Sequence, residues 1–208
     1  RRSSDLAGSR LAFITTAGFE DLLTLQRQNR LDLYDLNVGR PEPLVGAEDC
    51  LGVDERLDAR GDVRRPLEEA DIERVVDWLE AGDYDAVAIC LLHAYADADH
   101  EERIAEAIRR ALPDMHVSLS SEVVGEFREY ERASTTCVNA YVAPVMSRYL
   151  GRLAERVAVD DIQILQSSGG RVDIEHASEF PVHTVLSGPA GGVVGARTAA
   201  GEVGDDKI

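Results

Sequence analysis

The sequence predicts an α/β fold, a mixed sheet flanked by helices, on three observations. Strand-like and helix-like segments alternate along its 208 residues. Ala86–Leu92 (AVAICLL) is an unbroken apolar run, the pattern of a parallel strand buried on both faces. The segments on either side of it carry a 3.6-residue period: Ile72, Val75, Val76 and Leu79 before it, Ile104, Ile108, Ala111 and Leu112 after it. A helix–strand–helix–strand order of this kind implies right-handed crossovers.

Taken in order, Leu11–Thr15 is a short β-rich run ended by Thr16-Ala-Gly18, and it lacks obvious neighbours to pair with. Phe19–Leu25 reads as a short helix. Residues 37–65 hold Gly39, Pro41, Pro43, Gly46, Gly52 and Gly61 between short apolar pieces, which predicts a small β excursion of hairpin strands. Pro66 opens a helix that Gly82 ends. Asp99 with Glu102 resembles a capping box for the helix that Pro113 stops. Val117–Ser120 is the next strand. Helical spacing returns over Arg132–Val157, with Pro144 inside it as a kink or split. Asp161–Gln166 and Val182–Leu186 read as strands, the first ending in Ser167-Ser-Gly-Gly170 and the second in Ser187-Gly-Pro-Ala-Gly-Gly192. A Gly/Ala-lined helix follows through Ala200, and a strand begins at Asp205–Ile208.

With 44% hydrophobic and 29% charged residues, the composition is that of a globular chain long enough to bury a core, and neither repeats nor low-complexity blocks occur. The longest apolar run is too short to cross a membrane, and the first residues carry no apolar signal region. A net charge of −17 repels phosphate backbones, which argues against nucleic-acid binding. Lys207 is the only lysine; this acidic, lysine-poor composition is expected of a protein in a high-salt cytoplasm or of a GC-rich gene. Three cysteines without a CxxC pair (Cys50, Cys90, Cys137) fit a reduced, cytoplasmic setting, and Cys90 reads as a small buried hydrophobe.

Glu126–Asn139 is the densest polar stretch entering an apolar helix. Arg132 there could grip a carboxylate and Glu129 act as a base, with Thr135, Thr136 and Asn139 on the following turns against a polar ring. The alternative is a charged first helical turn with an ordinary Glu–Arg pair. Ser167, Gly169 and Gly170 close a strand at the edge where open α/β sheets bind ligands, or form a plain turn. Ser187, Gly188, Gly191 and Gly192 could cradle an anion on free N–H groups, or let two helices approach closely. His93, Asp97, Asp99, His100 and Glu101 lack metal-site spacing and read as a capped helix with surface histidines.

Five segments also resemble one family. These are Phe13–Leu23 (FITTAGFEDLL); Ala88–Tyr95 with His100-Glu101; Phe127–Pro144 (FREYERASTTCVNAYVAP); Gln166–Gly170; and Leu186–Ala196 (LSGPAGGVVGA). In this order they are similar to the hydantoinase A / 5-oxoprolinase / acetone carboxylase β-subunit family. The resemblance implies an actin-like, ribonuclease-H-like ATPase lobe: residues 1–185 as the first lobe, and 186–208 as a hinge helix leading into the second. It implies an enzyme that uses ATP and Mg to open a hydantoin or oxoproline ring, working with a second, hydantoinase B-type subunit. A ketone carboxylase subunit and a non-catalytic actin-like ATP-binding domain are the alternatives. The family's phosphate-gripping Asp-x-Gly-Gly-Thr motif does not occur here, so the chain is expected to be a fragment that binds no nucleotide and hydrolyses no ATP alone.

Overall fold

The structure, a computed structural model, describes residues 9–28, 43–157 and 162–203. Expectations for residues 37–42, Asp161 and Asp205–Ile208 lie outside them. Contacts divide the chain into two compact units, Arg1–Pro144 and Val145–Ile208.

The first unit is built on a parallel four-stranded sheet: β1 (Leu11–Thr16), β2 (Cys50–Val53), β5 (Ala86–Cys90) and β6 (His116–Leu119), in spatial order β2-β1-β5-β6. Antiparallel pairing is confined to short hairpins, here β3 (Arg56–Leu57) with β4 (Val63–Arg65). β1 does not lack neighbours. It is the buried centre of the sheet, with Phe13 level with Cys50 on one side and Ala88 on the other. The β excursion is correspondingly smaller than expected, because Cys50–Val53 is a strand of the main sheet.

Alternation along β1 and β5 sends side chains to two cores. Ala12, Ile14, Val87 and Ile89 pack with Ile72, Val75 and Leu79 of α2 (Glu69–Ala81) and with Ile104, Ala105 and Ile108 of α3 (Asp99–Ala111). Leu11, Phe13, Ala86, Ala88 and Cys90 pack with Leu23 of α1 (Leu22–Leu25) and with Ala133, Cys137 and Ala140 of α5 (Glu129–Arg156). Ala133, Cys137 and Ala140, at helical spacing on α5, share this buried cluster with Ala86, Ala88 and Cys90, and the first turn of α5 brings Arg132 to the Leu91 carbonyl just past β5.

Local chemistry corrects two expectations here. The α3 start is not a capping box: Ala98 is the N-cap, and the Asp97 carboxylate accepts from the Asp99 N–H at 3.0 Å. Ala111 is exposed, and the inward positions are Ile104, Ala105 and Ile108. α2 does end at Gly82, its C-cap, which stays right-handed while Asp83 takes the left-handed conformation at φ +53°. α4 (Ser120–Val123) follows β6 directly.

In the second unit, β7 (Ile164–Leu165) and β8 (Arg171–Val172) form a hairpin, followed by α6 (Ile174–Glu179), a 3₁₀ turn over Pro181–Thr184, and α7 (Ser187–Val203). Val182–Leu186 is therefore not a strand. Pro181 starts the turn, and the Thr184 hydroxyl donates to the Pro181 carbonyl at 2.7 Å. The Ser167 N–H, at 2.8 Å, and its hydroxyl, at 2.9 Å, both donate to the His183 carbonyl. α5 runs through Pro144 as one helix. Among the described residues, no helix is long and apolar enough to cross a membrane.

Candidate functional site

From β1 the chain passes to β2 on one side; from β5 it passes through α3 to β6 on the other. The carboxyl ends of β1 and β5 therefore flank the point where strand order reverses, the place where open α/β sheets bind ligands. Four hydrogen bonds fix the backbone there. The Thr15 hydroxyl donates to the Cys90 carbonyl at 2.9 Å. The Glu101 carboxylate accepts from the Leu91 N–H at 2.9 Å, and Arg132 Nη2 donates to the Leu91 carbonyl at 2.8 Å. The Leu92 N–H donates to Thr16 Oγ1 at 2.9 Å. His93 then turns the chain at φ +64°, a conformation non-glycine residues seldom hold. The turn delivers Tyr95 to the guanidinium of Arg132, whose central carbon lies 5.4 Å from the ring centroid.

Arg132 is the focus of this edge. Ala133, next to it on α5, belongs to the buried cluster that holds Ala86, Ala88 and Cys90, and the Arg132 side chain is itself inside, at 1% exposure. Its Nε and Nη1 atoms are buried without a hydrogen-bond partner. An open recess of about 10 Å³, room for about one water, lies beside it, lined by Thr15, Phe19, Leu22, Cys90, Leu92, Glu129 and Arg132. Burial pushes the Cys90 thiol up to about 12, against the pull of Arg132, so at neutral pH it is a protonated wall of the cleft.

Glu129 is exposed at the cleft rim in the first turn of α5. Thr135 and Thr136 donate back to the carbonyls of Glu131 and Arg132, each at 2.7 Å, and Asn139 donates to Ser118 Oγ at 3.0 Å. These three residues tie the helix to itself and to β6 rather than lining the cleft. Ser167, Gly169 and Gly170 form the β7–β8 turn, where Gly169 has φ +86° and the Gln166 N–H donates to the Gly170 carbonyl at 2.8 Å. They close a separate two-stranded antiparallel hairpin, not a strand of the parallel sheet. Ser187, Gly188, Gly191 and Gly192 lie inside α7, not in a loop before it. Gly191 meets Leu165, where an added Cβ would come within 2.6 Å, and Gly188 and Gly192 face open space.

Sequence reasoning missed a buried polar chain behind the edge. Thr16 Oγ1 donates to Glu55 Oε1, and His100 Nδ1 lies 2.7 Å from Glu55 Oε2. All three residues are at most 4% exposed. Since the Leu92 N–H already donates to Thr16, the hydroxyl proton points to Glu55. His100 is thus not a surface histidine. Two signals were available: His100 shares the stripe of Ile104 and Ile108, and Glu55 alternates with Val53 and Leu57. Glu101 is also fully buried; beyond Leu91 it accepts from the Ser120 hydroxyl at 2.6 Å and from the Ser121 N–H and hydroxyl at 3.0 and 2.8 Å. Among the described residues, no group of three His, Cys, Asp or Glu side chains could hold a metal ion.

Comparison with known proteins places this geometry in a lineage. Residues 4–112 match the hydantoinase/oxoprolinase N-terminal region, and residues 132–208 match the hydantoinase/oxoprolinase domain. An uncharacterized protein of Methanocaldococcus jannaschii is 36% identical over 203 residues, covering 96% of this chain and 30% of that one. The 5-oxoprolinase of Saccharomyces cerevisiae is 34% identical, over 90% of this chain and 17% of its own. The caprolactamase alpha subunit of Pseudomonas jessenii is 32% identical, over 97% of this chain and 30% of its own. The crystal structure of that ATP-dependent caprolactamase superposes with a TM-score of 0.85 at 31% identity, over 98% of this chain and 30% of that one. The chain thus spans about a third or less of the relatives it matches, and it belongs to the hydantoinase/oxoprolinase family.

Proposed function

We propose that the parent enzyme opens a cyclic amide at the expense of ATP. One observation carries the reading: over 98% of its length the chain shares the fold of an ATP-dependent caprolactamase. The 5-oxoprolinase relative, also named for a cyclic amide, agrees with it. ATP, when bound, would supply phosphoryl activation of the amide oxygen. Gly191 and Gly192 are helical, and Gly169 and Gly170 form the β7–β8 turn.

This lobe's own part is positioning. Arg132 anchors a polar group in the cleft, Glu129 at the rim takes a proton from the attacking water, and Phe19, Leu22 and Leu92 keep bulk water out. The Thr16–Glu55–His100 chain and Glu101 hold the Cys90–Leu92 backbone beneath it. We further propose that residues 1–185 form the first lobe and that the glycine-rich stretch from 186 is a hinge helix toward the second, with Ser187, Gly188 and Gly192 left open for a nucleotide-side contact and Ser167–Gly170 nearby in sequence. A second, hydantoinase B-type subunit is the proposed partner, in line with the subunit naming of the caprolactamase relative.

The test is phosphate release by the full-length protein with its partner subunit, against hydantoins, oxoproline, simple lactams and ketones. Stimulation by at least one cyclic amide is expected; stimulation by ketones alone would make the parent a ketone carboxylase. The charge of −17 supports a high-salt cytoplasm as the working environment. Full-length protein should accordingly melt at a higher temperature in molar KCl than in dilute buffer, and an unchanged melting temperature would remove that reading.

A further inference from the structure

We infer that the cleft before Arg132 is a receptor for a compact oxyanion, a carboxylate or phosphoryl group carried by the molecule the parent enzyme processes. The inference deepens the proposed function and rests on it only for the identity of that molecule.

Among the described residues Arg132 carries a charge with no counter-ion. Arg132 is 1% exposed, one of its nitrogens is engaged by the Leu91 carbonyl, and Nε and Nη1 have no acceptor. Among the described residues no carboxylate forms an ion pair with it. Glu101 holds the other side of the same Leu91 peptide, and its oxygens already face four donors. The Cys90 thiol beside it is protonated, and the ring of Tyr95 offers only its π face. A guanidinium buried in this way is unfavourable until an anion arrives.

The surroundings fit such an anion. Arg132 lines a recess at the carboxyl ends of β1 and β5, where strand order reverses, and the recess has room to seat one oxygen of such an anion. Its walls include Phe19, Leu22 and Leu92, so a charge pair inside is weakly screened. Arginine provides several directed donors, whereas lysine would provide a point charge. Glu129 at the rim has the wrong sign for an anion, but it is exposed and screened by water.

Calorimetric titration of the full-length protein with its partner subunit tests the inference. The probes are 5-oxoproline, 2-pyrrolidone (the same ring without the carboxylate) and inorganic phosphate. Wild type should bind 5-oxoproline or phosphate at least about tenfold more tightly than 2-pyrrolidone. Arg132→Lys keeps a positive charge and a donor for Leu91, so the fold is held, yet it should erase that preference. Glu129→Gln should tighten oxyanion binding a few-fold. A preference for 5-oxoproline identifies a substrate carboxylate, and a preference for phosphate alone identifies a phosphoryl group. Equal binding of all three probes by wild type, or an unchanged preference in Arg132→Lys, would overturn the receptor. Loss of the proposed reaction with the preference intact would refute the proposed function instead.

Discussion

Glu101→Ala is expected to destabilise the Arg1–Pro144 unit by about 3–5 kcal/mol, the largest effect of any single truncation on this edge. The carboxylate is fully buried and gathers four donors: the N–H groups of Leu91 and Ser121 and the hydroxyls of Ser120 and Ser121. Alanine orphans all four and leaves a void between α3, β5 and α4. The loss should also depend on pH. Burial pushes the carboxyl above its usual range, against the pull of Ser120, Ser121 and Leu91. The folded state therefore holds this proton more tightly than the unfolded chain does. The stability conferred by Glu101 is complete below the ordinary carboxylate range and declines as pH rises through the raised value. The gap between wild type and Glu101→Ala should then be widest near pH 4 and narrow toward neutrality. Amide hydrogen exchange of β5 and α3 in the full-length protein measures it. A gap below about 1 kcal/mol at every pH would mean that water replaces the carboxylate without penalty.

How this edge could and could not be read from residues follows from the range of the forces involved. Ala86–Cys90, the α2 stripe and the Ile104–Ile108 stripe were legible because the periodic pattern itself is the burial pattern. Glu129 and Arg132 were legible as a polar pair at a helix start, but not the fact that Arg132 is interior. Its burial follows from Ala133, Cys137 and Ala140, whose small side chains give a weak stripe and acquire meaning only opposite Ala86, Ala88 and Cys90. Glu55 and His100 are 45 residues apart, and no local rule joins them. Where local chemistry competed, short-range signals failed in both directions. Asp97 displaced Asp99 as the side chain satisfying the start of α3, and Pro181 with Thr184 turned an apolar stretch into a 3₁₀ turn. The glycines after Leu186 signalled a loop, yet they belong to α7, so their weak helix propensity is overridden by the rest of that helix.

Arg132→Met separates stability from function at the same edge. Methionine matches the length of the buried stem and adds no polar group. It forfeits the charged hydrogen bond to the Leu91 carbonyl, worth about 1.5–3 kcal/mol. It also removes a guanidinium whose Nε and Nη1 have no partner, and whose desolvation costs about several kcal/mol. The two terms oppose and are similar in size, so the variant should be within about 1 kcal/mol of wild type, or more stable. Activity should move far more, because an anchor inside a weakly screened cleft holds the reacting group in place: kcat/KM for a cyclic amide should fall about 100-fold or more. Urea midpoints and phosphate-release kinetics on the same full-length preparations decide the matter. A variant that loses stability and activity in proportion would show Arg132 to be a strut for the Leu91 peptide. A variant that keeps its stability and loses its turnover would show that the fold retains an unpaired buried charge for the sake of what binds there.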